Sequence, residues 1–292
     1  MDERAALRLL EGELAAAGDD AAVVDGLVVT TDMLHDRTDF PDGTTRYTAG
    51  WRAIGASLSD VAAMGAEATA AVAAYAAPTF ERDELLAFVR GASEICDHVD
   101  AEYVGGDLDG HDEFTTATTA IGRADDPVRR SGARPGDRVC VTGTLGRSAA
   151  ALELFDRGHT ERANELFRFR PRIAAGRALA PHASAMMDSS DGLARSLHQL
   201  AEASDCGFEI ESAAVPIDDD VRELADGDAD ALDRATTFGE DFELVATVPE
   251  ESLSAVRSAT DVPLSVLGTV RERDHGISMD GERLADRGYT HG

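Results

Sequence analysis

The chain contains no lysine, so arginine supplies all 27 residues of the Lys and Arg class. A Walker A loop and the phosphate-binding strand of protein kinases are therefore excluded, because both require a lysine. Catalysis through a lysine Schiff base is excluded for the same reason. The sequence also lacks a G-x-S-x-G elbow and an H-E-x-x-H helix. Metal ions, backbone amides and arginine are left as the groups that could bind a phosphate.

Cysteine and long apolar segments are scarce as well. Cys96, Cys140 and Cys206 are far apart, so they predict neither a zinc site nor a disulfide framework, but small buried thiols in a reducing compartment. No apolar run approaches the ~18 residues of a membrane-spanning helix. The first ten residues carry charges throughout and lack a signal-peptide core. We expect a soluble, cytoplasmic protein.

Acidic residues outnumber basic ones by 56 to 27, which gives a formal net charge of −29. Such a chain repels nucleic-acid phosphates and anionic membranes, so we expect neither as a partner. An acidic, solvated surface is typical of a protein that works in concentrated salt, where the Debye length falls to about 3 Å at 1 M. This hypothesis of a halophilic protein predicts loss of structure in low salt.

A length of 292 residues with 43% hydrophobic residues predicts two domains. Leu7, Leu10 and Leu14 predict an opening amphipathic helix. Further along, helix and strand patterns mix without strict alternation, which favours an α/β fold (of α+β type) in two domains with mixed sheets. Turn-forming residues between positions 125 and 136 predict the boundary. We therefore expect domains at 1–126 and 127–292.

Four aspartate-bearing turns border short apolar segments that predict strands. They are Gly18-Asp19-Asp20, Thr30-Thr31-Asp32, Gly105-Gly106-Asp107 and Asp188-Ser189-Ser190-Asp191-Gly192. Mg²⁺ prefers oxygen ligands and commonly joins carboxylates to substrate phosphates. Glycine beside a carboxylate lets the backbone approach an anion closely. The four turns together predict a site for magnesium and polyphosphate.

The last of these turns precedes a helix predicted from Ser190 to Ala203, and a helix N-terminus suits phosphate. An ordinary N-cap is the alternative explanation. Asp60 on its predicted helix and Arg130 near the domain boundary also have an alternative, as solvated surface residues. Each signal is modest by itself, and the combination and order of the signals carry the prediction.

Taken in order, the segments resemble the thiamine-monophosphate kinase family of the aminoimidazole ribonucleotide synthetase-like superfamily. The resemblance covers about residues 18 to 248. It is most specific in Leu58-Ser59-Asp60-Val61-Ala62-Ala63-Met64-Gly65-Ala66 and in Gly239-Glu240-Asp241-Phe242-Glu243-Leu244. The four aspartate turns match too, as do Arg130-Ser131-Gly132-Ala133-Arg134-Pro135-Gly136-Asp137 and Val141-Thr142-Gly143-Thr144.

The resemblance implies direct, in-line transfer of the ATP γ-phosphoryl group to thiamine monophosphate, assisted by Mg²⁺ and without a catalytic residue of the protein. The implied metal ligands are Asp20, Thr30, Thr31, Asp32, Asp60, Asp107, Asp188 and Asp191. The implied nucleotide contacts are Gly106, Asp107, Arg130 and Ser190. Glu240 or Asp241 and Tyr289 would line the thiamine phosphate pocket, and Asp39 stands where the family usually carries histidine. A homodimer that pairs through the N-terminal sheet is also implied.

Two alternatives remain open from the sequence. The first is another enzyme of the superfamily that activates a different oxygen, such as aminoimidazole ribonucleotide synthetase. Selenophosphate synthetase is disfavoured, because the chain lacks that family's N-terminal lysine and reactive cysteine. The second is an acidic protein that binds divalent cations through diffuse charge. Loss of nucleotide binding on Asp107→Asn or Asp191→Asn, but not on Asp228→Asn, would separate a site from diffuse charge.

Overall fold

The computed structural model describes residues 9–10, 13–14 and 17–288. The first half contains β1 (Ala22–Val24), β2 (Leu27–His35), α1 (Asp36–Asp39), α2 (Arg46–Ala63), β3 (Glu67–Ala77), α3 (Arg82–Asp97), β4 (Glu102–Gly110) and β5 (Thr115–Arg123). The second half contains β6 (Arg138–Thr142), α4 (Arg147–Asp156), α5 (Thr160–Phe167), α6 (Ile173–Leu179), β7 (Ala185–Asp188), α7 (Leu193–Ser204), β8 (Cys206–Ile210), α8 (Asp219–Leu224), α9 (Asp228–Thr237), β9 (Leu244–Val248), α10 (Leu253–Ala259), β10 (Leu264–Glu272), β11 (Ile277–Met279) and β12 (Glu282–Arg283).

The first five strands form one sheet in the order β1-β2-β5-β3-β4. Strands β3 and β4 are parallel, and the other neighbours are antiparallel. Asp25 and Gly26 join β1 to β2, and both have positive φ angles, of 51° and 77°. This backbone suits the twist of a two-residue hairpin, as the Asp-Gly pair predicts.

The other seven strands form a second sheet in the order β12-β11-β8-β10-β6-β9-β7. Only β8 and β11 pair in parallel among these neighbours. Both sheets are thus mixed, and the predicted fold class is confirmed. None of the described helices is long and apolar enough to cross a bilayer.

Helix α2 lies where the two halves of the chain meet. Its apolar side chains, such as Ile54, Leu58 and Val61, are fully buried. It packs on β2, β3 and β5 of the first sheet and also contacts α6 and β7 of the second half. Because Asp60 lies near the C-terminal end of α2 and Asp188 ends β7, this packing brings two distant carboxylates together.

Two predicted element boundaries are wrong, and both concern aspartate-bearing turns of the predicted metal and phosphate site. Gly105-Gly106-Asp107 was predicted as a turn, but β4 continues through it to pair with β3. Gly106 is needed there, because a Cβ atom at its position would lie 1.7 Å from the carbonyl oxygen of Ala73. Helix α7 begins at Leu193 rather than Ser190, since Gly192 has a φ of 99° that a helix does not accept.

Only part of the predicted opening helix lies among the described residues. Leu9, Leu10 and Glu13 are helical, and the amide of Leu14 donates to the carbonyl of Leu10 at 2.8 Å. Leu7 lies outside the described residues. Leu10 and Leu14 are exposed, so the described part does not bury the predicted apolar face.

Candidate metal and phosphate site

Three carboxylates from distant parts of the chain converge at one point. Asp20 comes from the loop before β1, Asp60 from α2 and Asp188 from the end of β7. One oxygen of each lies within 4.8 Å of those of the other two. We call these residues the carboxylate cluster. Oxygen donors at this spacing fit a hard divalent cation such as Mg²⁺.

Hydroxyl groups hold two members of the carboxylate cluster in place. Thr30 donates to Asp60 Oδ2 at 2.5 Å, and Ser59 donates to Asp188 Oδ2 at 2.6 Å. Nearby, Ser57 donates to Asp32 Oδ2 at 2.5 Å. Ser57 and Ser59 are both on α2. This one helix therefore positions Asp32 of the first sheet and Asp188 of the second sheet.

Arg130 supplies the positive charge beside the carboxylate cluster. Its guanidinium group contacts both oxygens of Asp20, with Nη2 3.0 Å from Oδ1 and Nε 3.2 Å from Oδ2. Asp19 supports this arrangement by accepting from the Arg130 amide at 2.8 Å and from Arg129 Nη1 at 2.9 Å. The arginine is therefore aligned from two sides before any ligand binds.

Burial and mutual repulsion perturb the pKa values of these acids. The pKa of Asp60 lies well above its ordinary value, first because of burial and then because of the charges of Asp32, Asp188 and Asp20. Burial and then the charge of Asp20 raise the pKa of Asp188 to about 7. Burial also raises the pKa of Asp32, with a contribution from the charge of Glu240. Such a concentration of buried negative charge is typical of a cation site.

The turn between β7 and α7 lies beside this cluster. The amide of Ser190 points to Asp188 Oδ1 at 3.4 Å, and Ser190 and Asp191 are both half-buried. The carbonyl oxygen of Ser190 accepts from the amide of Glu240 at 2.7 Å. The turn is thus joined to the Gly239–Leu244 segment through the backbone.

Each acid of the Gly239–Leu244 segment has a different partner. Glu240 forms an ion pair with Arg52. Asp241 accepts from the amides of Gly146 and Ser148, at 2.5 and 3.0 Å, at the N-terminus of α4. Glu243 binds Arg172 and accepts from Thr142 at 2.6 Å. Only Glu240 of the three keeps a partly exposed side chain, at 32%, because Asp241 and Glu243 are buried.

Several predicted site residues are not members of the carboxylate cluster in the described structure. Thr31 and Asp107 point to the outer face of the first sheet, where both are exposed. Gly106 is exposed in β4, and Asp39 in α1 accepts from the amide of His35 at 2.7 Å. Tyr289 lies outside the described residues.

Four residues of the site region were not predicted as functional. They are Asp19, Arg52, Ser57 and Ser59. The two serines are visible in the sequence, since Ser-Leu-Ser-Asp places them one and three residues before Asp60. Arg52 carries no such signal, because an arginine in an alanine-rich helix ordinarily faces solvent.

Two family models of AIR synthase related proteins match the chain. The N-terminal domain model matches residues 18–124, and the C-terminal domain model matches residues 134–281. Together they span most of the sequence.

Known proteins resemble the chain over their full length. It is 65% identical over 291 residues to the thiamine-monophosphate kinase of Halobacterium salinarum, with 100% of both chains covered. It is 40% identical over 300 residues to the thiamine-monophosphate kinase of Methanospirillum hungatei, covering 100% of this chain and 99% of the relative. The structure of AaThiL complexed with AMPPCP and TMP superposes with a TM-score of 0.91 at 28% identity, covering 100% of this chain and 97% of the other.

Proposed function

Because the chain belongs to the AIR synthase related proteins and, among them, to the thiamine-monophosphate kinases, we propose roles for its acidic residues in metal and substrate binding. The reaction is the ATP-dependent phosphorylation of thiamine monophosphate to thiamine diphosphate. We propose direct, in-line transfer, in which the protein positions the two phosphates and neutralises their charge. Phosphoryl transfer depends mainly on these two effects, so a protein nucleophile is not required.

The convergence of Asp20, Asp60 and Asp188 is the observation that carries this proposal. Their oxygens lie within 4.8 Å of one another, and Thr30 and Ser59 fix two of them by hydrogen bonds. We assign the binding of Mg²⁺ to the carboxylate cluster together with Thr30, Asp32 and Asp191. Thr31 and Asp107, whose side chains are on the outer face of the first sheet, are assigned to Mg²⁺ that enters with the nucleotide and not to the cluster. Bound Mg²⁺ would offset the charge of the phosphate oxygens.

The proposed nucleotide contacts come from three places: the loop between β5 and β6, the turn after β7, and strand β4. Arg130 is aligned on Asp20, and its guanidinium group suits a phosphate oxygen. Ser190, in the turn after β7, offers a hydroxyl group beside the carboxylate cluster. We assign Gly106 and Asp107 of β4 to the same ligand, since a glycine beside a carboxylate lets the backbone approach an anion closely.

Of Glu240 and Asp241, we assign Glu240 to the acceptor pocket, because Asp241 is buried and accepts from the amides at the N-terminus of α4. Asp39 and Tyr289 are the other assigned residues. Glu240 is the acid of its segment whose side chain is partly exposed to solvent, and its charge contributes to the raised pKa of Asp32. A carboxylate in this position suits the cationic thiazolium ring of thiamine monophosphate. Asp39 is the last residue of α1 and is half-buried.

The experiment that tests the proposed activity is an assay of thiamine diphosphate formation from ATP and thiamine monophosphate, with Mg²⁺ and molar KCl. Thiamine serves as a parallel substrate. We expect product from the monophosphate alone. A folded protein that binds ATP but forms no product would contradict the proposal and favour a different acceptor within the superfamily.

We also propose that the chain forms a homodimer through the outer face of its first sheet. Met33 and Val104 are both 57% exposed on this sheet, and Val24 is exposed on β1. An apolar sheet face of this kind is unfavourable in water, and a second copy of the same face would cover it. Light scattering should give twice the chain mass, and Met33→Glu should shift it towards the monomer. A monomeric wild-type protein would contradict this assembly.

We propose a cytoplasmic location from the state of the cysteines. Cys96, Cys140 and Cys206 are free and buried. Burial raises the thiol pKa values to about 12, 12 and 11. Unreactive, unpaired thiols are ordinary in a reducing compartment.

A further inference from the structure

Arg52 is a buried cation in the middle of α2. Its Nη1 donates to the carbonyl oxygen of Phe167 at 2.5 Å, and its Nη2 contacts Oε2 of Glu240. The guanidinium carbon lies 3.5 Å from the centre of the Phe167 ring. The side chain is only 3% exposed. Each of these contacts restricts the direction in which the guanidinium group can point.

Glu240 is also fixed through its backbone. Its φ is 61°, which is unusual for a residue with a side chain, and its amide donates to the carbonyl oxygen of Ser190 at 2.7 Å. Gly239 packs tightly at the same place, since a Cβ atom there would lie 2.5 Å from the Ser190 oxygen. The backbone of Glu240 is therefore fixed by the turn after β7, and its side chain is fixed by Arg52 of α2.

The exposure of the two partners differs in a way that points to a ligand. Arg52 is closed off from solvent, whereas the Glu240 side chain is 32% exposed. The contact between Glu240 and Arg52 uses Oε2 of the carboxylate. Oε1 is therefore available to a ligand that enters the proposed acceptor pocket.

We propose that Arg52 is a positioning residue for the acceptor substrate: it holds the Glu240 carboxylate so that its second oxygen faces the cationic ring of thiamine monophosphate. This inference rests on the proposed function of the chain. Arg52 and Asp60 are on the same helix, and Glu240 is bonded to Ser190. The Arg52–Glu240 pair thus fixes the acceptor side relative to the carboxylate cluster and the nucleotide turn.

A purely structural role is the competing explanation. Burial lowers the pKa of Arg52, and the Glu240 carboxylate opposes that change. Removing one partner of such a pair destabilises a protein, because the other charge is left uncompensated. Loss of stability alone is therefore uninformative, and the test must separate the binding of the two substrates.

The test compares Arg52→Lys, Arg52→Met, Glu240→Gln and the double variant Arg52→Met/Glu240→Gln. Arg52→Lys retains the charge but loses the planar fork. Arg271→Met is the matched control, because it removes one arginine from an exposed pair with Glu209. KM for thiamine monophosphate and KM for ATP are measured separately, and circular dichroism identifies the variants that fold.

We expect Arg52→Lys to raise KM for thiamine monophosphate about tenfold and to change KM for ATP less than about twofold. The double variant should be no more impaired than Glu240→Gln, because both changes remove the same interaction. The control should match the wild type. If Arg52→Met does not fold, the two KM values of Arg52→Lys alone test the inference.

An unchanged KM for thiamine monophosphate in Arg52→Lys would overturn the inference. An equal rise in both KM values would do so too, since it would indicate general loss of structure. These outcomes require an active wild-type enzyme. A folded but inactive wild type would instead overturn the proposed function, and the inference with it.

Discussion

Arg130 donates two hydrogen bonds to the Asp20 carboxylate, from Nη2 to Oδ1 at 3.0 Å and from Nε to Oδ2 at 3.2 Å. This ion pair places one cation beside three converging carboxylates. It does not balance them, because the pKa of Asp60 remains well above its ordinary value and that of Asp188 is raised to about 7. The carboxylate cluster thus concentrates more negative charge than Arg130 neutralises.

The stability of the metal-free protein should fall as the pH rises towards neutrality. Burial and the charge of Asp20 raise the pKa of Asp188 from 3.8 to about 7 in the folded state. The folded state therefore favours the protonated acid, whose contribution is complete below pH 3.8 and is lost as the pH rises to about 7. The loss amounts to at most about 4 kcal/mol of unfolding free energy.

Thermal melts in EDTA at about pH 5 and about pH 8 measure this effect. The wild type should lose more stability between the two conditions than Asp188→Asn does. Saturating Mg²⁺ should remove most of the difference. Equal losses in both proteins would contradict the assignment of the effect to Asp188.

Asp107→Asn should impair nucleotide use without affecting the fold. Asp107 is exposed on β4, and its carboxylate accepts a hydrogen bond from the amide of Leu108 at 2.9 Å. The substitution should therefore leave the melting temperature almost unchanged. We expect kcat/KM for ATP to fall about tenfold or more if the carboxylate binds the metal–nucleotide complex.

Asp228→Asn is the control for Asp107→Asn, because Asp228 is an exposed aspartate in the first turn of α9. ATP titrations of the two variants provide the measurement. An equal affinity for ATP in both variants and the wild type would contradict the assignment of Asp107 to the nucleotide site.

Asp241→Ala should reduce stability rather than substrate affinity. The change leaves the amides of Gly146 and Ser148 without their acceptor at the N-terminus of α4. We expect a loss of about 1–3 kcal/mol in the free energy of unfolding. Denaturant titration and KM for thiamine monophosphate are to be measured together. A stable variant with a raised KM would show that Asp241, and not only Glu240, faces the acceptor.

Low salt should destabilise the whole protein. Its net charge of −29 is self-repelling in dilute buffer, and molar KCl shortens the Debye length to about 3 Å. Circular dichroism melts in the two conditions test this, with EDTA in both so that divalent cations do not contribute. A melting temperature independent of KCl would contradict the halophilic interpretation.

The sequence was most informative where local patterns set the structure. The hairpin turn at Asp25-Gly26 and the helix that carries Asp60 are both predicted from such patterns, and the structure contains them as the β1–β2 connection and α2. Apolar periodicity and turn residues act over a few positions, so they are readable without the fold. The position of Asp60 in a helix was predictable for the same reason.

Contacts between distant segments were harder to predict. Asp107 points to the outer face of its sheet because of the pairing between β3 and β4, and no local pattern reveals that register. The role of Arg52 depends on Phe167 and Glu240, which follow it by 115 and 188 residues. The aspartate-bearing turns group Asp20 with Asp188, and only the family resemblance adds Asp60, since sequence spacing alone does not bring the three together.

The most direct test of the central claim is the Mg²⁺ dependence of thiamine diphosphate formation in the wild type, Asp60→Asn and the Asp228→Asn control. We expect the wild type and the control to share one Mg²⁺ titration curve. Asp60→Asn should lose about a hundredfold in kcat or more, without recovery at high Mg²⁺. A folded Asp60→Asn protein with the rate and Mg²⁺ dependence of the wild type would contradict the assignment of the carboxylate cluster as the metal site.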